Sequence, residues 1–498
     1  MYKDTSTAEI DQLLAKSVQA YHQYKHFSLK QRADFMRTIA KEIEALGDEL
    51  LETAMAETNL PLARLQGERA RTMFQLNSYA DAAELGNWLE ASIDTAIPER
   101  TPPKPDIRKM LIPLGTVAVF GASNFPFAYS TAGGDTACAF AAGCPVIVKA
   151  HPAHVKTSTM VATAIDRAVE KCNMPEGIFY HIYGAGFETG EHLAKHPAIK
   201  AIGFTGSFGG GKALFDWANQ RKSPIPVFAE MGSVNPIFIL PEKLATGTGS
   251  LAAQIAGSVT LGVGQFCTNP GLIIAVNNEH LEDFVKHLRK EIDVIAPGKM
   301  LHPGIASNYD KKLDQALCQK GVQLVAQTKQ EVKDGEGLIS IATATGKTFL
   351  ANPILHEEVF GPYSLIVQCA NEEEMVEVAK TLEGQLTATI MATPGDIKSH
   401  EPLLNLVQDI CGRFILNNVP TGVEVALAMH HGGPFPSSTD SRFTSVGADG
   451  IKRFARPLSY QNWGDEFLPD ELKNSNPLQI WRTVNNELTR NPIHEENV

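Results

Sequence analysis

The chain has 498 residues, of which 43% are hydrophobic and 20% charged, so a collagen-like or disordered protein is excluded and two or three domains are expected. Its 56 acidic residues outnumber its 44 Lys and Arg residues, which gives a net charge of −12. Because phosphate neutralisation needs a basic surface, this balance argues against extended nucleic-acid binding.

The same sequence favours a cytoplasmic protein. Its seven cysteines include no C-x-x-C pair, so reduced thiols are a better interpretation than a disulfide framework or structural zinc. The first ten residues, MYKDTSTAEI, do not resemble a signal peptide. No segment reaches the roughly 18–20 apolar residues that a membrane span requires.

The first hundred residues are predicted to form a helical scaffold. Ser6 with Glu9, and Ser28 with Gln31, match the S-x-x-E/Q capping box that begins many helices. A proline-rich connector at 101–105 then separates these helices from a region of different character. These helix-forming patterns carry no information about chemistry.

The region that follows is predicted to be an α/β domain with a parallel sheet. Short apolar segments alternate with helical patterns at 128–142 and 157–172, as right-handed βαβ crossovers require. The predicted strands are 116–122, 145–150, 179–184, 199–205 and 226–230. Such a sheet binds ligands at the carboxyl ends of its strands.

A second α/β region is predicted from residue 235. Its strand candidates are 236–240, 272–276 and 364–367, and the charged segment 280–292 is predicted to be a solvated helix. The polar tail beyond about residue 454 is a candidate subunit contact.

A glycine-rich segment, Gly206 to Lys212, follows the predicted strand 199–205. It matches the G-x-x-x-x-G-K start of a P-loop, but Ala213 stands where that motif needs Ser or Thr to hold magnesium. Nucleotide hydrolysis is therefore disfavoured. A glycine turn that accommodates a pyrophosphate at a helix N-terminus remains open, and no G-x-G-x-x-G Rossmann fingerprint follows the first strand.

Three further residues are candidates for catalysis, each with a simpler alternative. Cys267 lies in a loop of small and polar residues that can expose a nucleophilic thiol, although most cysteines are inert. Glu230 ends an apolar strand and can act as a general base, or be an ordinary turn residue. Asn124 can present an amide N–H to an oxyanion, or simply form a turn. His430-His431 and the absence of H-E-x-x-H give little support for a metal site.

Taken in chain order, six motifs resemble the aldehyde dehydrogenase superfamily. They are Ser123-Asn-Phe-Pro126, Lys149-Ala-His-Pro152, Gly203-Phe-Thr-Gly-Ser207, Glu230-Met-Gly-Ser233, Gly264-Gln-Phe-Cys267 and Glu357-Glu-Val-Phe-Gly-Pro362. The segments FGASNFPFA, KAHPAH, GQFCTNPG and HHGGPFP are similar to the branch that contains 2,5-dioxovalerate and long-chain fatty aldehyde dehydrogenases. The resemblance implies NAD(P)-dependent oxidation of an aldehyde to an acid, with 2,5-dioxovalerate preferred over a fatty aldehyde as substrate. A non-catalytic binding relative of the same fold is the remaining alternative.

The resemblance also implies roles for individual residues. Cys267 would add to the aldehyde as a thiolate, Asn124 and the Cys267 N–H would hold the oxyanion, and hydride transfer would leave a thioester. Glu230 would deprotonate the water that hydrolyses this thioester. The expected cofactor-binding residues are Lys149 and Glu358 for the two riboses, Gly206 and Ser207 for the pyrophosphate, and Phe360 beside the nicotinamide.

One position departs from the family pattern. Many NAD-using members carry Glu three residues after the cofactor lysine, and here that position is Pro152. Without a carboxylate to repel a 2′-phosphate, and with His151, His154 and Lys156 nearby, we expect NADP to be used at least as well as NAD.

The resemblance further implies an aldehyde dehydrogenase-like architecture and a homodimer or homotetramer. We expect amino-terminal helices and a Rossmann-like cofactor domain over 1–233, a catalytic domain over 234–432, and a returning oligomerisation tail over 433–498. Residues 100–112 are the candidate for an oligomerisation hairpin. A dicarboxylic semialdehyde also needs a cation in its tunnel, for which Arg64, Arg69 and Arg71 are candidates.

Overall fold

The structure is a computed structural model that describes residues 2–493. Both capping boxes predicted in the first hundred residues are present. The Ser6 and Ser28 side chains accept from the N–H groups of Glu9 and Gln31, whose side chains accept in return from the serine N–H groups. Four helices form this region: Thr7–Tyr24, Leu29–Glu44, Gly47–Thr58 and Leu62–Leu85.

A five-stranded parallel sheet follows, as the alternating sequence pattern predicts. Its strands, in spatial order, are Phe179–Ile182, Val146–Lys149, Thr116–Phe120, Ile199–Thr205 and Val227–Glu230. The central strand is buried on both faces, with Val117 and Val119 in one core cluster and Ala118 and Phe120 in another. The accompanying helices are Gly134–Ala142, Val155–Lys171, Phe187–Lys195 and Phe208–Asn219.

The helix predicted over 128–142 begins six residues later, at Gly134. The chain folds back tightly before it, because a Cβ at Gly133 would lie only 2.5 Å from the Ala128 carbonyl oxygen. Residues 123–133 therefore form turns. Apolar periodicity alone does not reveal such a turn, since its side chains are buried as well.

The second half contains a seven-stranded sheet, parallel except at one edge. Its strands in spatial order are Gln323–Gln327, Ser340–Thr345, Tyr363–Cys369, Leu272–Val276, Ile237–Ile239, Gln385–Met391 and Cys411–Leu416. Helices cover both faces. They are Pro241–Thr246, Thr248–Thr260, Glu279–Val294, Pro303–Leu317, Gly346–Ala351, Glu372–Thr381, Pro394–Ser399 and Glu401–Asp409.

The tail returns to the first half of the chain and builds a third, mixed sheet. Its strands are Ala455–Gln461, Ile107–Pro113, Ser92–Asp94, Arg482–Val484 and Glu487–Thr489. A separate two-stranded ribbon pairs Gly298–Lys299 with Glu336–Gly337. Short 3₁₀ helices occupy Asn87–Leu89, Pro152–His154, Pro353–His356, Ala448–Phe454, Asp465–Phe467 and Asp470–Leu472. Within residues 2–493, no helix combines the length and hydropathy needed to cross a bilayer.

Candidate active site

A cavity of about 1120 Å³ lies at the carboxyl edge of the first sheet, where open parallel sheets bind their ligands. The strand-end residues Lys149, Thr205 and Glu230 all line it. All eight site residues predicted from the sequence line this one cavity: Asn124, Lys149, Gly206, Ser207, Glu230, Cys267, Glu358 and Phe360.

The loop that carries Cys267 is fixed by its backbone. Gly262, Val263 and Gly264 have φ of 54°, 58° and 65°, a left-handed turn that is unfavourable for a β-branched residue such as Val263. At Gly264 a Cβ would lie 2.3 Å from the Gly361 backbone, so only glycine fits. The buried Asn235 amide then donates to the Cys267 carbonyl oxygen at 2.9 Å. The thiol is therefore presented by a loop with little freedom.

Asn124 lies next to this loop, on the turn that follows the strand Thr116–Phe120. Its Nδ2 donates to the Gln265 carbonyl oxygen at 3.1 Å, which orients the amide and leaves its second N–H free. Within residues 2–493 the Cys267 backbone N–H has no acceptor either. Two free donors beside one thiol can hold an oxyanion that forms there.

A histidine that the sequence analysis did not assign completes the cluster. His431 Nε2 lies 3.6 Å from Cys267 Sγ and 3.1 Å from Glu230 Oε1. One ligand-type atom from each of the three residues lies within 4.8 Å of the others. His431 and Glu230 are only 2% and 5% exposed, so their interactions are poorly screened by water.

Hydrogen bonds from and to Ser445 and Thr444 hold Glu230 and His431 in place. Ser445 Oγ donates to Glu230 Oε2 at 3.0 Å, and its backbone N–H donates to the His431 carbonyl oxygen at 2.8 Å. The His431 N–H in turn donates to Thr444 Oγ1 at 2.9 Å. Glu230 Oε1 has no hydrogen-bond donor among the described residues, since the His431 contact is poorly aligned for one. This oxygen is available to accept a proton from water.

The surroundings shift the pKa values of the Cys267 thiol and the Glu230 carboxyl in opposite directions. Burial and the Glu230 carboxylate raise the pKa of the Cys267 thiol well above its usual range. Burial also acts to raise the pKa of Glu230, but the His431 ring, Cys267 and Ser445 together hold it below its ordinary value. Near neutral pH the resting site therefore contains a thiol beside a carboxylate. Attack by sulfur requires that a neighbouring base take the thiol proton.

A second carboxylate, that of Glu358, lines the same cavity. It accepts only a long 3.5 Å bond from the Ser233 N–H, while the surrounding protein raises its pKa to about 7. A side chain on Gly232 would collide with Glu358, because its Cβ would lie 2.4 Å from Oε2. A carboxylate with unused acceptor positions is suited to ribose hydroxyls.

The glycine-rich segment begins the helix Phe208–Asn219. Ser207 is its N-cap, and its Oγ accepts from the Gly210 N–H at 3.3 Å. Lys212, the lysine of the P-loop-like match, pairs instead with Asp216 at 2.7 Å on the same helix. The structure therefore favours the helix N-terminus over a P-loop as the phosphate-binding feature.

The sequence analysis expected His151, His154 and Lys156 to supply positive charge near Lys149, but the two histidines do not. His154 is fully buried with Nε2 2.8 Å from the Ala122 carbonyl oxygen, and burial lowers its pKa. Burial also lowers the pKa of His151 well below its usual range. Both rings are therefore neutral at neutral pH. Burial lowers the pKa of Lys149 as well.

Solved structures of low sequence identity share this fold. A 1-pyrroline-5-carboxylate dehydrogenase from Thermus with bound NAD aligns with a TM-score of 0.78 and 20% identity, over 92% of this chain and 86% of that one. A glyceraldehyde-3-phosphate dehydrogenase GapN from Methanocaldococcus jannaschii, complexed with NADP, aligns at 0.77 and 19% identity over 92% and 95%. The chain thus has the α/β fold expected from its resemblance to aldehyde dehydrogenases.

Sequence comparisons define the family. The family model for the aldehyde dehydrogenase family matches residues 1–456, and the chain belongs to that family. It is 44% identical to an alpha-ketoglutaric semialdehyde dehydrogenase of Acinetobacter baylyi, over 99% of this chain and 93% of that protein. It is also 46% identical to alpha-ketoglutaric semialdehyde dehydrogenase 2 of Azospirillum brasilense, over 95% and 91%.

Proposed function

We propose that this protein oxidises 2,5-dioxovalerate, also called α-ketoglutaric semialdehyde, to 2-oxoglutarate with NAD(P)⁺. The observation that carries the chemistry is that Cys267, Asn124 and Glu230 line one cavity, and that His431 contacts both the thiol and the carboxylate. The choice of substrate rests on two relatives, 44% and 46% identical, that are named for this semialdehyde. Neither of these relatives supports a fatty aldehyde as the substrate or a non-catalytic role for this chain.

The first step is attack by sulfur. His431 Nε2, 3.6 Å from Sγ, is positioned to take the thiol proton as the new C–S bond forms, and Glu230 stabilises the imidazolium that results. The aldehyde oxygen becomes the oxyanion of a thiohemiacetal. Asn124 Nδ2 and the Cys267 N–H are the donors beside it, and each such donor typically contributes about 2.7–4 kcal/mol to lowering the barrier.

Collapse of this oxyanion expels a hydride and leaves a thioester on Cys267. When bound, NAD(P)⁺ supplies the hydride acceptor. We assign Lys149 and Glu358 to its two riboses, Gly206 and Ser207 to the pyrophosphate, and Phe360 to the nicotinamide side of the cavity. The covalent adduct is what makes the aldehyde hydrogen transferable, because a free aldehyde is a poor hydride donor.

Hydrolysis of the thioester completes the cycle. Glu230 Oε1 has no donor in the resting site, so it can accept a proton from a water that attacks the thioester carbon. The products are the carboxylic acid and the Cys267 thiol. The same carboxylate therefore serves both steps, first through His431 and then through water.

We further propose that NADP serves at least as well as NAD. Pro152 replaces the carboxylate that would repel a 2′-phosphate, and Lys149 and Lys156 are the lysines that flank it in the sequence. The neutral His151 and His154 rings weaken this preference without reversing it. A kcat/KM for NAD a hundredfold above that for NADP would refute the proposal.

The regions of the chain have separate proposed roles. Residues 1–233 would bind the cofactor and 234–432 would supply the nucleophile. The tail 433–498 and the hairpin region 100–112 would assemble a homodimer or homotetramer. Exposed Trp463, Phe467 and Trp481 in the tail support an apolar contact there. Light scattering would measure the mass, and a monomer at micromolar concentration would contradict the assembly proposal.

The test of function compares substrates and the nucleophile variant. Purified protein is assayed for NAD(P)H formation with 2,5-dioxovalerate, decanal and propanal. We expect the highest kcat/KM for the semialdehyde and no turnover by Cys267→Ala, which should still bind NAD(P)⁺ in a fluorescence titration. Cys318→Ala, a change at an exposed cysteine, is the matched control and should retain activity. A preference for decanal, or an active Cys267→Ala variant, would overturn the proposal.

A further inference from the structure

Of the three arginines that the sequence offered as substrate cations, two are already engaged elsewhere. Arg64 pairs with Glu68 at 2.7 Å and lies 4.5 Å above the Phe125 ring centre. Arg69 donates to the Gly47 carbonyl oxygen at 2.6 Å, away from the cavity. Arg64 is therefore paired with its own carboxylate, and the Arg69 guanidinium is held at Gly47, a residue outside the cavity lining.

Arg71 differs from these two. It lies on the helix Leu62–Leu85, and its Nη1 donates to the Val423 carbonyl oxygen. Its Nε is buried without an acceptor, and it forms no ion pair with any residue in 2–493. The side chain is half-buried, and a guanidinium with no carboxylate partner and an unused buried N–H keeps donors that a ligand anion can accept from.

A second arginine, which the sequence analysis did not consider, donates to the same loop. Arg413 lies on the edge strand Cys411–Leu416 and donates from Nη1 to the Gly422 carbonyl oxygen at 2.8 Å and from Nη2 to the Pro420 carbonyl oxygen. Its Nε is also buried without an acceptor, and it has no acidic partner among the described residues. Both guanidinium groups therefore flank the segment 420–423 with donors to spare.

Tyr129 connects this pair to the nucleophile. Its ring lines the cavity that contains Cys267, and its hydroxyl is buried without a hydrogen-bond partner within residues 2–493. Burial raises the pKa of Tyr129, and the neighbouring Arg71 acts against that rise. Burial lowers the pKa of Arg413, while Cys267 and Tyr129 lie close enough to act in the opposite direction. Val423, whose carbonyl oxygen accepts from Arg71, packs against the apolar cluster that contains Tyr129. The two arginines therefore lie around a loop that adjoins the Tyr129 wall of the cavity.

We infer that Arg71 and Arg413, with the Tyr129 hydroxyl, bind the far carboxylate of a semialdehyde whose carbonyl carbon is at Cys267. This inference rests on the proposed function and identifies the residues that would make the enzyme selective for a carboxylated aldehyde. The carboxylate carbon of an extended five-carbon semialdehyde lies about 5 Å from its aldehyde carbon, so the acceptor must lie close to the thiol. A planar guanidinium suits it, because its paired N–H donors match the two carboxylate oxygens.

The experiment measures the ratio of kcat/KM for 2,5-dioxovalerate to kcat/KM for pentanal, an uncharged aldehyde of the same length. Arg71→Gln and Arg413→Gln keep a donor for the loop carbonyls but remove the charge. We expect each to lower the ratio by about 10- to 100-fold, as loss of a charge-assisted hydrogen bond predicts. Arg69→Gln, on the same helix as Arg71, is the control and should leave the ratio unchanged.

A second readout is independent of turnover. In the wild-type protein, 2-oxoglutarate should slow alkylation of Cys267 by iodoacetamide, and Arg71→Gln and Arg413→Gln should abolish this protection. An unchanged ratio, an equal loss for both aldehydes, or retained protection in the variants would overturn the inference. If instead the wild-type protein itself shows no preference for the semialdehyde over pentanal, the proposed function fails rather than the assignment of these arginines.

Discussion

The assignment of His431 as the first proton acceptor is tested by His431→Gln. The imidazole is 3.6 Å from Sγ, and the thiol has a pKa well above its usual range because of burial and the Glu230 carboxylate. A positioned general base typically contributes 10²–10⁴-fold to such a step. At 1.36 kcal/mol for each tenfold change in rate, the variant should raise the barrier to acylation by about 2.7–5.4 kcal/mol.

Stopped-flow measurement of NAD(P)H formation reads this step directly. The first-turnover rate of His431→Gln should fall by the factor of 10²–10⁴ above, and alkylation of Cys267 by iodoacetamide should slow with it. His430→Gln is the matched control, because the adjacent imidazole lines a separate cavity with Lys109 and Arg442. A first-turnover rate for His431→Gln within about threefold of wild type would refute the reasoning, since a ring that takes the proton is not replaceable by an amide.

Three further predictions concern the other groups in the cavity. Asn124→Ala should lower kcat by about 10²–10³-fold by removing an oxyanion donor, and a change below threefold would exclude that role. Glu358→Gln should raise KM for NAD(P)⁺. In the wild-type protein this KM should rise up to about tenfold as pH falls from 8 to 6, because the Glu358 pKa of about 7 leaves about a tenth of the carboxylates ionised at pH 6. If the variant keeps the same pH dependence, the titrating group is not Glu358. Glu230→Gln should keep a first-turnover burst while slowing later turnovers; loss of the burst would show that acylation had become the slower step and would contradict a main role of Glu230 in hydrolysis.

Much of the fold follows from the sequence because local patterns determine it. The strands Ile199–Thr205 and Leu272–Val276 have the predicted bounds, since each is a short apolar run bordered by polar or glycine-bearing segments. The predicted helix over 128–142 was wrong at its start, because a tight turn at Gly133 interrupts an apolar pattern that is buried throughout.

The site was predictable only in part, and the missed residues share a physical reason. Cys267, Glu230 and Asn124 lie in short motifs whose glycines and small residues mark functional turns. His431 lies 164 residues after Cys267, and Arg413 belongs to the edge strand of another sheet. Tertiary packing alone brings these two side chains towards the thiol. The HHGGPFP segment was the one available signal for His431; it supported the family resemblance but did not indicate a catalytic base.

The most direct test of the covalent mechanism is the intact mass of Glu230→Gln after mixing with 2,5-dioxovalerate and NADP⁺. The account predicts that one acyl group accumulates per chain and that peptide mapping assigns it to Cys267, because formation of the thioester outpaces its hydrolysis when the carboxylate is absent. An unmodified chain that has nevertheless formed one equivalent of NADPH, or an acyl group on another residue, would contradict it.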